Sequence, residues 1–305
     1  MDDLVSVIIT INNDEETLRD CIYSVIGQTY RNIELIVIDD GSTDKSAQIC
    51  NEMLIANSKL KVFHQVQSGM AVARNKGLEM ASGRYVTFIN GSDKMSKDLI
   101  QDLIMMMNDY DVDVTACKIT YNGAFDSDND VKPITFDNED VLRQLLIGKT
   151  ITNTPYAKLF KRELFMNVDF ASDDADTLYK IIESSRKIAF MNSKEYYQVE
   201  PEEYSFNSLL NKDLRLLKKY SDLEIYCKYN IVKSIVDEFY NDLSNNLPII
   251  DENRLYQMFT KIIKENESEI MPFFDYVRKA HIYLLANDLS NYKIVAPVLP
   301  EIEKI

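Results

Sequence analysis

VSVIITINNDEETLRDCIYSVIGQTYRNIELIVIDDGSTDKS, residues 5 to 46, is the stretch on which the fold turns. Leu4 to Ile11 is a nearly unbroken apolar run rich in Val and Ile, as in a strand covered on both faces. Leu18, Cys21, Ile22, Val25 and Ile26 then recur at helical spacing. Ile33 to Ile38 is a second apolar run, and it stops abruptly at Asp39, Asp40, Gly41 and Ser42. Ser42 and Asp44 are placed to cap the helix that follows. Strand, helix and strand with short connections read as a parallel unit with a right-handed crossover.

The pattern continues outward. Leu60 to His64 reads as a third strand, Gly69 to Ala81 as a helix and Tyr85 to Ile89 as a fourth strand. Leu99, Ile100, Leu103, Ile104 and Met107 form another helical stripe, and Val112 to Ile119 another strand. Ligands of such sheets bind beyond the carboxyl ends of the strands, where strand order reverses. The residues there are Asn12 and Asn13, Asp39 and Asp40, and Asn90 through Asp93. Asn122 to Lys132 is polar and reads as a loop. Helical patterns resume near Asp137, pass through Lys158 to Phe165 and include Asp176 to Ser185. Ile188 to Met191 and Glu195 to Val199 read as short closing strands. From residue 206 the pattern is helical, with Val232, Val236, Phe239 and Leu243 on one stripe, and Phe273 and Val277 on another. The expected domains are 1–205, α/β, and 206–305, all-helical.

A formal net charge of -15 excludes general binding to nucleic acid or to an anionic membrane. Lys212, Arg215, Lys218 and Lys219 are the local exception. On a helix 212, 215 and 219 share a face, which is either a peripheral membrane contact or an ordinary solvated face. Cys21, Cys50, Cys117 and Cys227 are scattered, without a paired motif, and the first residues show no signal peptide. Free thiols and a cytoplasmic location are therefore expected. No apolar run approaches the roughly 18 to 20 residues of a membrane span. His64 and His281 read as structural. The turn after the first strand, Ile11 to Glu15, has no glycine-rich dinucleotide fingerprint, which argues against a nicotinamide-dependent oxidoreductase.

Several blocks occur in one order: Ser24, Gln28, Thr29 and Tyr30; Asp39 to Asp44; Ala73-Arg74-Asn75-Lys76-Gly77; Gly83 to Phe88; and Lys158 to Phe165. Together they resemble the family-2 glycosyltransferases over residues 4 to 205. That resemblance implies a GT-A-like, Rossmann-like fold, a mainly parallel sheet flanked by helices. It implies inverting transfer of a sugar from a nucleotide sugar, here a UDP-sugar, to an acceptor hydroxyl. Relatives of this kind often serve a surface glycan or teichoic-acid-type polymer from the inner face of the plasma membrane.

The resemblance assigns roles by position. Asp39 would accept the imide N–H of uracil, although a turn carboxylate capping the next helix is the alternative, a part that Asp40 could also play. Thr10 and Asn12 replace the usual proline and tyrosine of the base pocket. Arg74 would face the diphosphate, or else form a helix-surface salt bridge. The family's Asp-x-Asp, which holds Mn2+ or Mg2+, falls on Asn90 and Ser92, leaving Asp93 as the one acidic candidate ligand. The general base falls on Asp176 of Asp176-Thr177-Leu178-Tyr179, with Ala175 where a glutamate is usual; the alternative is that Asp173, Asp174 and Asp176 only cap the helix they open. Gln198 and Glu200 stand where arginines often meet the diphosphate. These departures leave a second reading, a catalytically degenerate member that binds a nucleotide sugar or a partner transferase. The C-terminal helices could complete the acceptor site, form a homo-oligomer or dock on that partner.

Overall fold

A computed structural model describes residues 3–121, 125, 132–137, 140–142, 145, 151–152, 154–170, 177–199, 206–219, 221–245, 247–249 and 252–296. The chain divides into two compact units, Met1–Glu203 and Tyr204–Ile305.

The first unit is built on one sheet. Its strands are β1 (Val5–Ile11), β2 (Ile33–Asp40), β3 (Leu60–Gln65), β4 (Tyr85–Asn90), β5 (Lys94–Met95), β6 (Val114–Thr120), β7 (Ile134–Asp137), β8 (Lys158–Lys161) and β9 (Lys187–Tyr197). The order is β3-β2-β1-β4-β8-β6-β9-β5, with β7 also on β9. From β3 to β4 every pairing is parallel, as the buried apolar runs require, and β1 is buried at all seven positions. Beyond β4 the sheet is mixed: β8 runs antiparallel to both β4 and β6, while β6 and β9 are parallel. Strand order reverses at β1, with β2 on one side and β4 on the other, so the crevice lies between their carboxyl ends.

Helices α1 (Leu18–Ile26), α2 (Ser46–Ala56), α3 (Met70–Met80) and α4 (Leu99–Asp109) follow β1, β2, β3 and β5, and α5 (Thr177–Ser184) precedes β9. The Ser24–Tyr30 block has a structural task. Gln28, almost wholly buried, donates to the Ser96 carbonyl (2.6 Å) and accepts from the Ile100 N–H (3.1 Å), while Ser24 Oγ accepts from the Met95 N–H (3.2 Å). Helix α1 thereby clamps the chain that leaves the β4 turn. In α3, a Cβ on Gly77 would lie 2.3 Å from Ile8 Cγ2, so only glycine lets this helix close on β1. At the opposite end of the sheet Glu34 accepts from Ser6, Ser82 and Lys61. Burial opposes its ionisation, but these bonds win and hold its pKa near 2.

Three expectations need correction. Lys158 to Phe165 is not helical. Lys158–Lys161 is a strand because it fills the gap between β4 and β6, and a 3-10 turn, Arg162–Phe165, follows. Phe160 and Phe165 face Phe88 edge-on, so the apolar spacing served an aromatic cluster and not a helix face. The two short closing strands are one strand, β9, with register shifts against β6 around Lys118. Ile134–Asp137 is extended as β7, and helical residues begin after it at Asp140. The expected loop at 122–132 lies largely outside the described residues.

The second unit contains α6 (Phe206–Lys219), α7 (Glu224–Ser244), α8 (Glu252–Ile270), α9 (Tyr276–Asn287) and α10 (Leu289–Val295). Val232, Val236 and Phe239 are fully buried with Phe259, Leu285 and Tyr292, and Leu243 packs beside them. Phe273, by contrast, lies in a 3-10 turn and is partly exposed. Lys212 leaves the expected basic face: it is buried beside Asp213, 3.4 Å away. Arg215, Lys218 and Lys219 instead share a groove with Arg254 of α8. Among the described residues no helix is long and apolar enough to cross a membrane. All four cysteines are free and buried, as expected for small apolar side chains.

Candidate active site

The site is assembled from three strand ends. After β1, Asn12 Nδ2 donates to the Asp40 carbonyl (2.7 Å), and Asn13 adopts φ 62°. That left-handed turn, which asparagine tolerates, aims Asn13 Oδ1 at the loop after β2. There it accepts from the backbone N–H of Thr43 (2.8 Å) and Asp44 (3.3 Å) and from the Thr43 hydroxyl (3.2 Å). In return the Asn13 N–H donates to Ser42 Oγ, the Glu15 N–H to Asp44, and the Lys45 N–H to Glu15. The expected cap is not found: the N-cap of α2 is Lys45, without a side-chain bond. Asp44 closes a turn one residue earlier by accepting from the Ser46 N–H, and Ser42 is spent on Asn13.

The paired carboxylates of β2 divide their tasks differently from the expectation. Asp40 does not cap α2. It accepts from Gln65 Nε2 (2.8 Å) and from the N–H groups of Ser68 (2.7 Å) and Gly69 (2.8 Å), which sets the turn into α3. Asp39 accepts from the Ser42 N–H (2.9 Å), a tight turn bond, while its other oxygen meets His64 Nδ1 at 2.7 Å. Asp39 is almost fully buried.

Arg74 on α3 is buried, so it is no helix-surface group. It donates to the Tyr156 hydroxyl (2.7 Å), with its guanidinium over the Tyr156 and Phe170 rings. Asn75 makes two bonds to the backbone of Phe170, donating to its carbonyl (2.7 Å) and accepting from its N–H (2.8 Å). Arg74, Asn75 and Gly77 thus each hold a different part of the unit, and Asn75 fixes the chain six positions before Asp176. Asp176, with 171–175, lies outside the described residues. Helix α5 begins at the next residue, Thr177.

Beyond β4 the chain turns through Asn90, Gly91, Ser92 and Asp93. Asp93 is fully buried and accepts from the Tyr196 hydroxyl (2.8 Å), the Val199 N–H (3.0 Å) and the Ser92 hydroxyl (3.1 Å). Burial pushes its pKa up to about 6 against the pull of those three bonds. Tyr196 in turn stacks on Tyr156, ring centroids 6.0 Å apart. Arg74, Tyr156, Tyr196 and Asp93 therefore form a continuous contact from α3 to the β4 turn.

Thr10 is buried, and its carbonyl accepts from the Gly91 N–H (3.0 Å). A Cβ at Gly91 would fall 2.6 Å from Ile11 Cγ2 and 2.7 Å from an Asp14 oxygen, so the first and fourth strand ends touch through this glycine. Asp14, not singled out in the sequence, sits between them, and burial pushes its pKa up to about 6. Gln198 is buried, and its N–H donates to the Thr120 carbonyl (3.0 Å). Glu200 lies outside the described residues.

These donors do not fit a divalent cation held by the protein. Asn90 Oδ1 accepts from the adjacent Gly91 N–H, Ser92 donates to Asp93, and both Asp93 oxygens are turned inward and bonded. Among the described residues no cluster of three His, Cys, Asp or Glu is arranged to hold a metal.

The description "Glycosyl transferase family 2" matches residues 6–169, more than half of the chain. The chain belongs to that glycosyltransferase family. GlyG, a glycosyltransferase of Streptococcus pneumoniae serotype 4, is 30% identical over 214 residues, 64% of this chain and 70% of GlyG. TuaG of Bacillus subtilis, described as a putative teichuronic acid biosynthesis glycosyltransferase, is 31% identical over 154 residues, 48% of this chain and 59% of TuaG. A crystal structure of S. aureus TarS 1-349 in complex with UDP-GlcNAc superimposes with a TM-score of 0.68. It covers 96% of this chain and 90% of that one at 19% identity, a likeness of fold. This glycosyltransferase therefore has the GT-A-like fold.

Proposed function

We propose that this glycosyltransferase transfers a sugar from a UDP-sugar, with inversion at C1, to a hydroxyl of a cell-surface glycan or teichoic-acid-type polymer. The observation that carries the reading is the pair of built positions flanking the crevice. Asp39 is a buried carboxylate with its orientation fixed from two sides, and Arg74 is a buried guanidinium oriented by Tyr156. A buried carboxylate at a strand end is suited to accept the uracil imide N–H. A buried arginine supplies positive charge to the departing diphosphate without relying on solvent. Asp176, carried ahead of α5, takes the proton of the acceptor hydroxyl as that oxygen attacks C1 and the bond to the diphosphate oxygen breaks.

TuaG's described part in teichuronic acid biosynthesis supports a polymeric acceptor. The degenerate reading loses ground because Asp39 and Arg74 are both kept in buried, hydrogen-bonded surroundings and the family is one of transferases.

The test is calorimetric titration of UDP and UDP-sugars, with Mn2+ and then with chelator, followed by transfer assays of Asp176→Asn. Micromolar UDP binding is expected, little changed by chelator, together with loss of transfer and retained binding in the variant. No binding of any uridine nucleotide would overturn the donor, and preserved turnover in Asp176→Asn would remove it as the base.

A further inference from the structure

We infer that His64 is the positioning residue of the base-recognition carboxylate, a role that rests on Asp39 being the uracil acceptor. The ladder between β2 and β3 pairs Asp39 with His64 and Asp40 with Gln65. Directly paired residues point to the same face of a sheet, so each acid of β2 meets the polar side chain opposite it. Gln65 Nε2 bonds Asp40 at 2.8 Å, and His64 Nδ1 bonds Asp39 at 2.7 Å. The His64–Asp39 contact thus follows from the parallel register and not from a chance rotamer.

An ionised carboxylate only accepts, so Nδ1 must carry the proton in this contact. The second ring nitrogen lies 3.4 Å from Asn51 Oδ1 on α2, a contact that is a hydrogen bond only where that nitrogen carries a proton as well. Asp39 needs such a partner. Its side chain is 4% exposed, and among the described residues no lysine or arginine pairs with it. The Ser42 N–H fixes one oxygen and His64 the other, and together they set the rotation of the carboxylate about its own axis. With that rotation fixed, the remaining lone pairs keep one direction toward the crevice. Without His64 the group is held at one oxygen only and is free to turn away from that direction.

Two histidines in the chain make the test direct, because His281 is buried against Tyr292 and serves as an internal reference. Long-range proton–nitrogen spectra of histidine-labelled protein should show His64 protonated at Nδ1, and uridine should shift the His64 signals while leaving those of His281 in place. Uridine is used because it lacks titrating phosphates. Its affinity should fall about tenfold in His64→Leu, as for loss of one hydrogen bond to a charged group. His64→Asn, whose amide nitrogen reaches the position of Nδ1, should restore most of it, and His64→Gln should not. An unprotonated Nδ1 in the free protein, or unchanged affinity in His64→Leu when Asp39→Asn has lost binding, overturns the inference. Full uridine affinity in Asp39→Asn overturns the base assignment instead.

Discussion

Tyr196→Phe removes one hydroxyl from a fully buried pair and leaves the ring in its stack on Tyr156. The hydroxyl donates to Asp93 Oδ2 at 2.8 Å. Asp93 is already strained toward its neutral form, with a pKa of about 6 against an ordinary 3.8. At about 1.4 kcal/mol per pH unit, its ionisation at pH 7.5 costs on the order of 3 kcal/mol relative to the unfolded chain. Losing a donor to that charge should cost about 2 kcal/mol more, within the range of roughly 1.5–3 for hydrogen bonds to ionised groups. In an Asp93→Asn background the same change removes a neutral bond, at about 0.5–1 kcal/mol, so the coupling should be about 1–1.5 kcal/mol. The assay is urea unfolding of the four proteins of the cycle, followed by far-ultraviolet circular dichroism, since the chain has no tryptophan. At pH 5 the coupling should shrink as Asp93 becomes protonated. An equal cost in both backgrounds at pH 7.5, or a cost below about 0.5 kcal/mol, would mean that Tyr196 does not hold Asp93. The carboxylate would then be free to turn toward a cation.

Gly77→Ala should destabilise the first unit by about 2 kcal/mol, because overpacking against β-branched Ile8 outweighs the helix-propensity gain. A fall in Tm of about 4–8 °C by calorimetry is expected, and an unchanged or higher Tm would refute the close contact. Stability should also peak on the acid side of neutrality. Asp14, Asp93 and Asp213 have pKa values raised to about 6, chiefly by burial, so their destabilisation is present above pH 6 and disappears as pH falls toward 3.8. Glu34, held near 2, stabilises above 4.5 and loses that contribution as pH falls toward 2. Tm should therefore be nearly level from pH 8 to about 7, rise as pH falls through about 6 toward about 4.5, and drop below about 4. A steady decline from pH 8 to 5 would contradict the burial of these acids.

The first hundred residues were the most legible because their fold is local. Runs such as Ile33 to Ile38 are too apolar for any setting but a covered strand, and the helix between them shows its own period. Lys158 to Phe165 is not helical because the apolar spacing of Phe160 and Phe165 answers to Phe88, which is far away in sequence. Lys212 was misread for a similar reason: helical geometry says which residues share a face, but not which face is buried. Within the site, the end of β2 was visible, yet the division of labour between Asp39 and Asp40 was not. It depends on which residues of β3 stand opposite, and register between strands twenty-five positions apart has no local signature. Tyr156 and Tyr196 went unremarked as a pair because only the folded sheet stacks them. Asn75 sat inside a quoted motif, but its task, gripping the backbone at Phe170, is likewise a long-range one.

The crossed bonds between Asn13 and residues 42–44, and between Glu15 and residues 44–45, bear on any attempt to change donor preference. Each loop completes the hydrogen bonding of the other, so the two behave as a single rigid lip of the crevice. Grafting one loop from a relative of different specificity would strand polar groups of its partner and collapse the rim. A transplant should carry residues 12–16 and 41–45 together, so that each loop keeps the partner that completes its hydrogen bonds.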